Sequence, residues 1–337
     1  MADFTRMDFI KHISLLQEGE ILNLTGVDLS EINLSFLNLI EANLNCANLR
    51  ETILTYGDLS RANLREATLT GANLTGTLLT GADLRGATLS GATLTITDLR
   101  LADLTGATLI GANLAVVDLT DVNLIGADLT DADLKYAYLK GAKLSGANLK
   151  GADLTEANLT EADLTYSSLI KANLTGAKLY KVDLTRAELI GTNLTNVILS
   201  ETILKDASLT EADLTGAKLY EVDLTRAELI GTNLTNANLF EAGLLNANLT
   251  KARLSGAYLS GAYLSGANLS EANLTEANLI NADLTGAILS GTNLTGANLS
   301  GAYLTGANLE GANLTGAILS GADLLGANLT NVIGYNH

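Results

Sequence analysis

Two histidines, one cysteine and 37 carboxylates are the residues from which chemistry could be built in this chain of 337 residues. His12 lies near the N-terminus and His337 ends the sequence, so neither stands near the bulk of the acids. With Cys46 alone, a Cys–His nucleophile or a cysteine-rich zinc site lacks its materials. Cys46 has Arg50 as its nearest basic residue in sequence, thin support for an activated thiol. No G-x-x-x-x-G-K-(S/T) or G-x-G-x-x-G loop is present to cradle a phosphate. The acids sit at polar positions of a regular pattern, where solvation is the expected state. Sites for chemistry are concave and partly apolar. These residues give no catalytic, metal or cofactor-binding assignment; the chain reads as a protein that is not an enzyme and needs no cofactor.

The pattern that positions them is a repeat. Leu occupies position 24 and every fifth position to Leu329, 62 in succession, and the register breaks at Gly334. Two residues before each Leu stands a small or medium apolar residue, usually Ala, as at Ala62, Ala67 and Ala72; Val117, Val122 and Thr192 are exceptions. Asn or Asp most often lies between the two, as at Asn63 and Asp83, and Thr or Ser follows the Leu. An α-helix would rotate successive leucines by about 140°, leaving no apolar stripe. A plain strand would send them to alternate faces. A chain that turns once per five residues, always bringing Leu and its small partner inside, satisfies the pattern. The 32 Gly then belong to turns.

These A-(D/N)-L-x-x units resemble the pentapeptide-repeat family across residues 22–333; GADLTEANLTEADLT, Gly151 to Thr165, matches at every defined position. The resemblance implies an all-β solenoid, a right-handed quadrilateral β-helix with four pentapeptides per coil and four flat faces. Near-identical blocks at Gly176–Asn196 and Gly216–Asn236 lie 40 residues apart, two such coils. The repeats then amount to about 15 coils, and stacking at ~4.8 Å gives a length of roughly 75 Å. Long, loop-free members of this kind are numerous in cyanobacteria.

The expected organisation is an N-terminal helical cap over 1–20, an uninterrupted β-helix over 21–333 and a tail over 334–337. Phe9, Ile10, Ile13 and Leu16 fall at helical spacing and predict an amphipathic helix over about Asp3–Gln17, ended by Gly19. Leu22, Val27, Ile32 and Leu37, larger than the usual Ala, are the residues it would cover. Examples of the expected core are Leu24, Leu64, Leu164, Leu264 and Leu329. The last coil has no comparable cover, and an open stack exposes apolar interior and unpaired backbone. An end-to-end homodimer through the C-terminal coils is the expected remedy, as the resemblance to antibiotic-resistance members also implies.

Four repeats per coil place Asp83, Asp103, Asp163, Asp183, Asp223, Asp283 and Asp323 in one outward column. Stacked like charges cost stability, so the column is one candidate interaction surface. The gyrase-binding members of the family resemble duplex DNA in shape and charge, making DNA mimicry directed at a protein such as gyrase the alternative function. The net charge of −17 is sparse beside one charge per ~1.7 Å of duplex. It also disfavours direct binding of nucleic acid or anionic membranes. Tyr180, Tyr220 and Phe240 form a second outward column, with Ile280 further along. The leading expectation is a rigid, acidic, non-catalytic scaffold presenting flat faces to a protein partner. A single cysteine, an N-terminus unlike a signal peptide and no apolar run of membrane length point to a soluble, cytoplasmic protein.

Overall fold

The computed structural model describes residues 6–15, 17 and 20–335, and divides into two compact units, Met1–Ser168 and Leu169–His337. Within each unit the chain advances as five-residue steps: three extended residues, the middle one pointing outward, then a two-residue corner. Outward residues pair in parallel with those 20 positions on, as in Asn43↔Asn63 and Asp83↔Asp103 of the first unit and Asn193↔Asp213 of the second. Four steps therefore close one rung, and four parallel ladders run through each unit.

Accounting for the backbone amides explains the repeat. At Ala62–Glu66, Asn63 N–H donates to Ala42 O of the preceding rung (2.9 Å) and Leu64 N–H to Asp83 O of the next (2.7 Å). Glu66 N–H donates to Arg85 O (3.0 Å), and Ala67 N–H closes the corner onto Leu64 O (3.1 Å). One amide remains, that of the first corner residue. The side chain before Leu takes it: Asn63 Oδ1 accepts from Arg65 N–H at 3.2 Å, and Asp128 Oδ1 from Thr130 N–H at 3.0 Å. Asn and Asp are preferred there because they complete the backbone's hydrogen bonding, as Asx turns do. The same accounting disfavours Pro at the four backbone-bonded positions of each step and at corners capped by Asn or Asp, where it would remove a committed donor.

The second corner residue has a left-handed φ of +53° to +71° from Gly26 to Asn331, the value a type II turn requires at its third residue. Gly fills many such corners, but Glu, Asn and Asp fill others. Inside, Leu and Ala are sealed: Leu24, Leu64, Leu164 and Leu264 are fully buried. Where Thr replaces Ala, its hydroxyl donates to a Leu carbonyl one rung back, as from Thr52 to Leu29 O (2.8 Å) and Thr192 to Leu169 O (2.7 Å). Among the described residues no buried side-chain polar atom lacks a partner.

Helix α1 spans Arg6–Ser14. Its end at Ser14 falls before the expected Gln17, and residues 3–5 and 16 of the expected span lie outside the described ones. Phe9 is 1% exposed, and the Arg6 guanidinium donates to Asn33 Oδ1 (3.1 Å) and Ser35 O (3.2 Å) of the first rungs. Ile10, expected on the apolar face, is instead 39% exposed. Phe9 and Ile10 are adjacent and about 100° apart around the helix, so with Phe9 turned fully inward Ile10 lies at the edge of that face. The Ile13 side chain, Leu16, Gly19 and His337 fall outside what is described. At the other end, Leu314 is buried but Leu319, Leu324 and Leu329 of the final rung are half-buried, so Leu329 is not a sealed core residue.

Candidate interaction surfaces

The acidic column is present in both units but is broken. In the first, Asp83 pairs with Asp103, and then Asn123 and Lys143 intervene before Asp163. In the second, Ile203 follows Asp183, Gly243 and Tyr263 follow Asp223, and Tyr303 separates Asp283 from Asp323. Asp83 and Asp103 share Arg85, whose Nε lies 2.8 Å from Asp83 Oδ1 and 3.7 Å from Asp103 Oδ2. The Arg85 hydrogen bonds hold the Asp83 carboxyl below the usual carboxylate range, against its partial desolvation. The other acids cap their corners: Asp163, Asp183 and Asp223 each accept the amide two residues on at 2.9 Å, and Asp283 and Asp323 do so at 3.0 Å. The carboxylates thus have a local backbone role that Asn fills elsewhere, and their spacing is too irregular to imitate a phosphate chain.

Tyr180, Tyr220 and Phe240 lie at first corner positions. Tyr220 and Phe240 occupy successive rungs, with Glu221 N–H donating to Phe240 O (3.1 Å), whereas Ser200 separates Tyr180 from Tyr220. The Tyr180 hydroxyl donates to Glu201 Oε1 (2.9 Å), and Lys181 Nζ sits 5.1 Å from the ring centroid and 3.6 Å from Glu201. Tyr180 is thereby occupied locally, leaving Phe240 the more available ring. Cys46 is exposed; its thiol faces Glu66 Oε2 at 3.7 Å, while Arg50 pairs with Glu51 at 3.3 Å. Among the described residues no cluster of His, Cys, Asp and Glu could hold a metal ion, and no helix is long and apolar enough to cross a membrane.

A more pronounced surface was missed in reading the sequence. Seven large apolar or aromatic residues occupy second corner positions: Phe36, Tyr56, Ile96, Leu101, Val116, Tyr136 and Tyr166. Five share a single corner of the first unit, Phe36, Tyr56, Ile96, Val116 and Tyr136, with Gly76 completing the series. Phe36 and Tyr56 stack with centroids 5.6 Å apart and planes 12° apart. The Tyr56 ring then leans over Gly76, where a Cβ would stand 2.5 Å from Tyr56 Cε1, so any larger residue would displace the ring. Phe36 is 74% exposed, Ile96 53% and Val116 44%. Ile96 (φ 53°) and Val116 (φ 58°) are the β-branched residues among the left-handed corners, the side-chain type that conformation least tolerates. Leu78 and Tyr138, both exposed, flank the stripe on the adjoining face. The missed signal was available: sorting second corner residues by position modulo 20 exposes the column at once.

Stacked parallel rungs, an interior built on an unbroken Leu series and most variation at corners and outward ladders define a β-helical repeat protein. The whole repeat region, residues 23–55 through 297–333, matches the family described as pentapeptide repeats, and the chain belongs to that family. It is similar to HetL, a pentapeptide repeat protein involved in heterocyst differentiation regulation in the cyanobacterium Nostoc sp. strain PCC 7120. That likeness has 24% identity over 99% of this chain and 100% of that one, with a TM-score of 0.18. Rfr23 of the cyanobacterium Cyanothece 51142 is 34% identical over 36% of this chain and 90% of its own, with a TM-score of 0.24. QnrB1, a plasmid-mediated fluoroquinolone resistance protein, is 17% identical over 60% and 84%, with a TM-score of 0.25. No match is found among curated proteins.

Proposed function

We propose that this chain is a non-catalytic interaction protein, a rigid acidic scaffold that docks a protein partner along the corner stripe from Phe36 to Tyr136. The stripe is the observation that carries the reading. Large apolar side chains stand exposed at corners where Gly, Glu or Asn would be better tolerated, and their clustering on one corner is what a binding surface produces. Six rungs put the outer members about 24 Å apart. Most flanking charges are paired: Arg100 bridges Asp98 and Asp118 at 2.6 and 3.7 Å on one side, and Lys135 lies 3.4 Å from Asp133 and 3.2 Å from Asp153 on the other. A partner with an apolar groove therefore fits better than a basic, DNA-binding one. α1 covers the first rung, and the half-buried Leu319, Leu324 and Leu329 support an end-to-end homodimer at the other end. The proposed compartment is the cytoplasm.

The test is affinity capture from the source cells by the wild type and by a variant carrying Tyr56→Asn, Ile96→Asn, Val116→Asn and Tyr136→Asn. The reading requires at least one partner retained by the wild type and lost from the variant; identical retained sets refute it. Mimicry of DNA is the weaker reading, since the acidic column is interrupted. It requires inhibition of gyrase supercoiling that Asp163→Asn, Asp183→Asn and Asp223→Asn abolish. Asn keeps the corner cap at each position.

A further inference from the structure

The second unit carries a cavity of about 480 Å³ whose lining combines rings with carboxylates: Tyr263, Asp283, Tyr303, Glu241, Asn281 and Thr285. Its geometry follows from one ladder. Tyr263↔Asp283 and Asp283↔Tyr303 are consecutive pairings, so the two tyrosines stand two rungs apart, about 9.6 Å, with the aspartate between them. A carboxylate on one methylene reaches about half as far from the backbone as a phenol. The aspartate therefore forms a floor and the tyrosines, each 55% exposed, form walls. Asp283 Oδ1 is held by Thr285 N–H at 3.0 Å, which fixes the floor. Glu241 adds a second negative charge at the rim, its Cγ 3.3 Å from where a Cβ on Gly261 would stand; that glycine lets the glutamate lie along the corner. Among the described residues neither Glu241 nor Asp283 is in an ion pair, and no basic side chain lines the cavity.

The geometry points to a binding site for an organic cation of the quaternary ammonium class, held between Tyr263 and Tyr303 over Asp283. Half the two-rung spacing is about 4.8 Å, inside the ~6 Å over which an aromatic face attracts a positive charge. The cavity is open to water, which decides among cations. A primary ammonium is strongly hydrated and gains little by exchanging water for a shallow site. A quaternary ammonium has no N–H hydrogen bonds to lose and brings apolar methyl groups to the rings. The two carboxylates repel a zwitterion such as glycine betaine and favour a carrier with net positive charge, either a free choline-like molecule or a trimethyllysine side chain. This site is independent of the corner stripe and lies in the other unit.

The experiment is a titration of the full chain with tetramethylammonium chloride at constant ionic strength, following tyrosine ring resonances by NMR. Choline, glycine betaine, ammonium and a trimethyllysine peptide form parallel arms. Saturable shifts confined to the Tyr263 and Tyr303 rings are expected, with a dissociation constant on the order of 10 mM and no saturation by ammonium. Tyr263→Asn and Tyr303→Asn should abolish saturation, and Asp283→Asn should weaken it about fivefold. All three place at an outward ladder position the residue that another ladder of the same unit carries at Asn193 and Asn233, so folding should be preserved. A trimethyllysine peptide binding at least tenfold tighter than choline assigns the cation to a protein, and equal affinity assigns it to a small molecule. Shifts that drift linearly, match those from ammonium or persist in Tyr303→Asn overturn the site.

Discussion

Replacing Ile96 by glycine removes four carbons, yet the corner geometry predicts almost no change in stability. Three contributions oppose one another. Ile96 has φ 53°, and relief of a left-handed conformation returns about 1–2 kcal/mol. Glycine adds freedom to the unfolded chain, costing about 0.5–1 kcal/mol. The side chain is 53% exposed, so roughly half of a full burial contribution is lost, about 0.7–1.4 kcal/mol. The sum lies between about −1.4 and +0.8 kcal/mol. Leu94, two residues earlier and fully buried, should lose about 2–5 kcal/mol on truncation to Ala. The reciprocal change, Gly106→Val, starts at φ 64° with nothing within 4 Å of the new Cβ, so strain alone acts and a loss of up to about 1.5 kcal/mol is expected. Urea unfolding followed by circular dichroism reads all three. A loss above about 2 kcal/mol for Ile96→Gly would show that the isoleucine packs as structure, and the stripe would cease to be a surface retained at a conformational cost.

Removing a corner cap by Asp128→Ala should lower stability by about 1 kcal/mol, while Asp128→Asn, which keeps the acceptor for Thr130 N–H, should be nearly neutral in the same assay. Thr52→Val should cost about 1 kcal/mol by removing the hydroxyl bonded to Leu29 O, measurable as a lower urea midpoint. Asp83 and Asp98 have carboxyl groups lowered chiefly by side-chain hydrogen bonds from Arg85 and Arg100. Their contribution is complete above the unfolded value of about 3.9 and is lost as pH falls through the lower folded values; Asp83→Asn with Asp98→Asn should flatten the acid limb of stability below about pH 4. Light scattering should report a dimer that Leu325→Asp, at an exposed corner of the final rung, converts to monomer.

Most of the fold was legible because one constraint is repeated without error. Leu inside at every fifth residue admits few chain paths, and the pairing of Asn43 with Asn63 is the register that four steps per coil required. The helix was legible in kind but not in orientation: spacing showed Phe9 and Ile10 as equivalent, and only the packing, with Phe9 sealed and Ile10 exposed, distinguishes them. The surface was less legible for a physical reason. The Asp column could be written down from the sequence, but its acids are caps for corner amides, a role invisible until each backbone donor is traced. Attention to acids and to Tyr180 and Tyr220 hid the stripe, because an isoleucine or valine at a corner looks ordinary until its φ is known.

Because each five-residue step turns a quarter of the way around, the register of the surface is separable from the integrity of the core. Inserting or deleting one pentapeptide leaves every Leu inside and every amide bonded, yet swings all later residues of the unit onto the next face. One such event between Tyr56 and Ile96 would cut the stripe into two halves on different corners of an equally well-packed molecule. Changes of twenty residues restore alignment, as the spacing of Gly176–Asn196 and Gly216–Asn236 exemplifies. Lineages of this protein can therefore lengthen by whole turns without penalty, while partial turns act as a gear change that reassigns which neighbours meet at the surface.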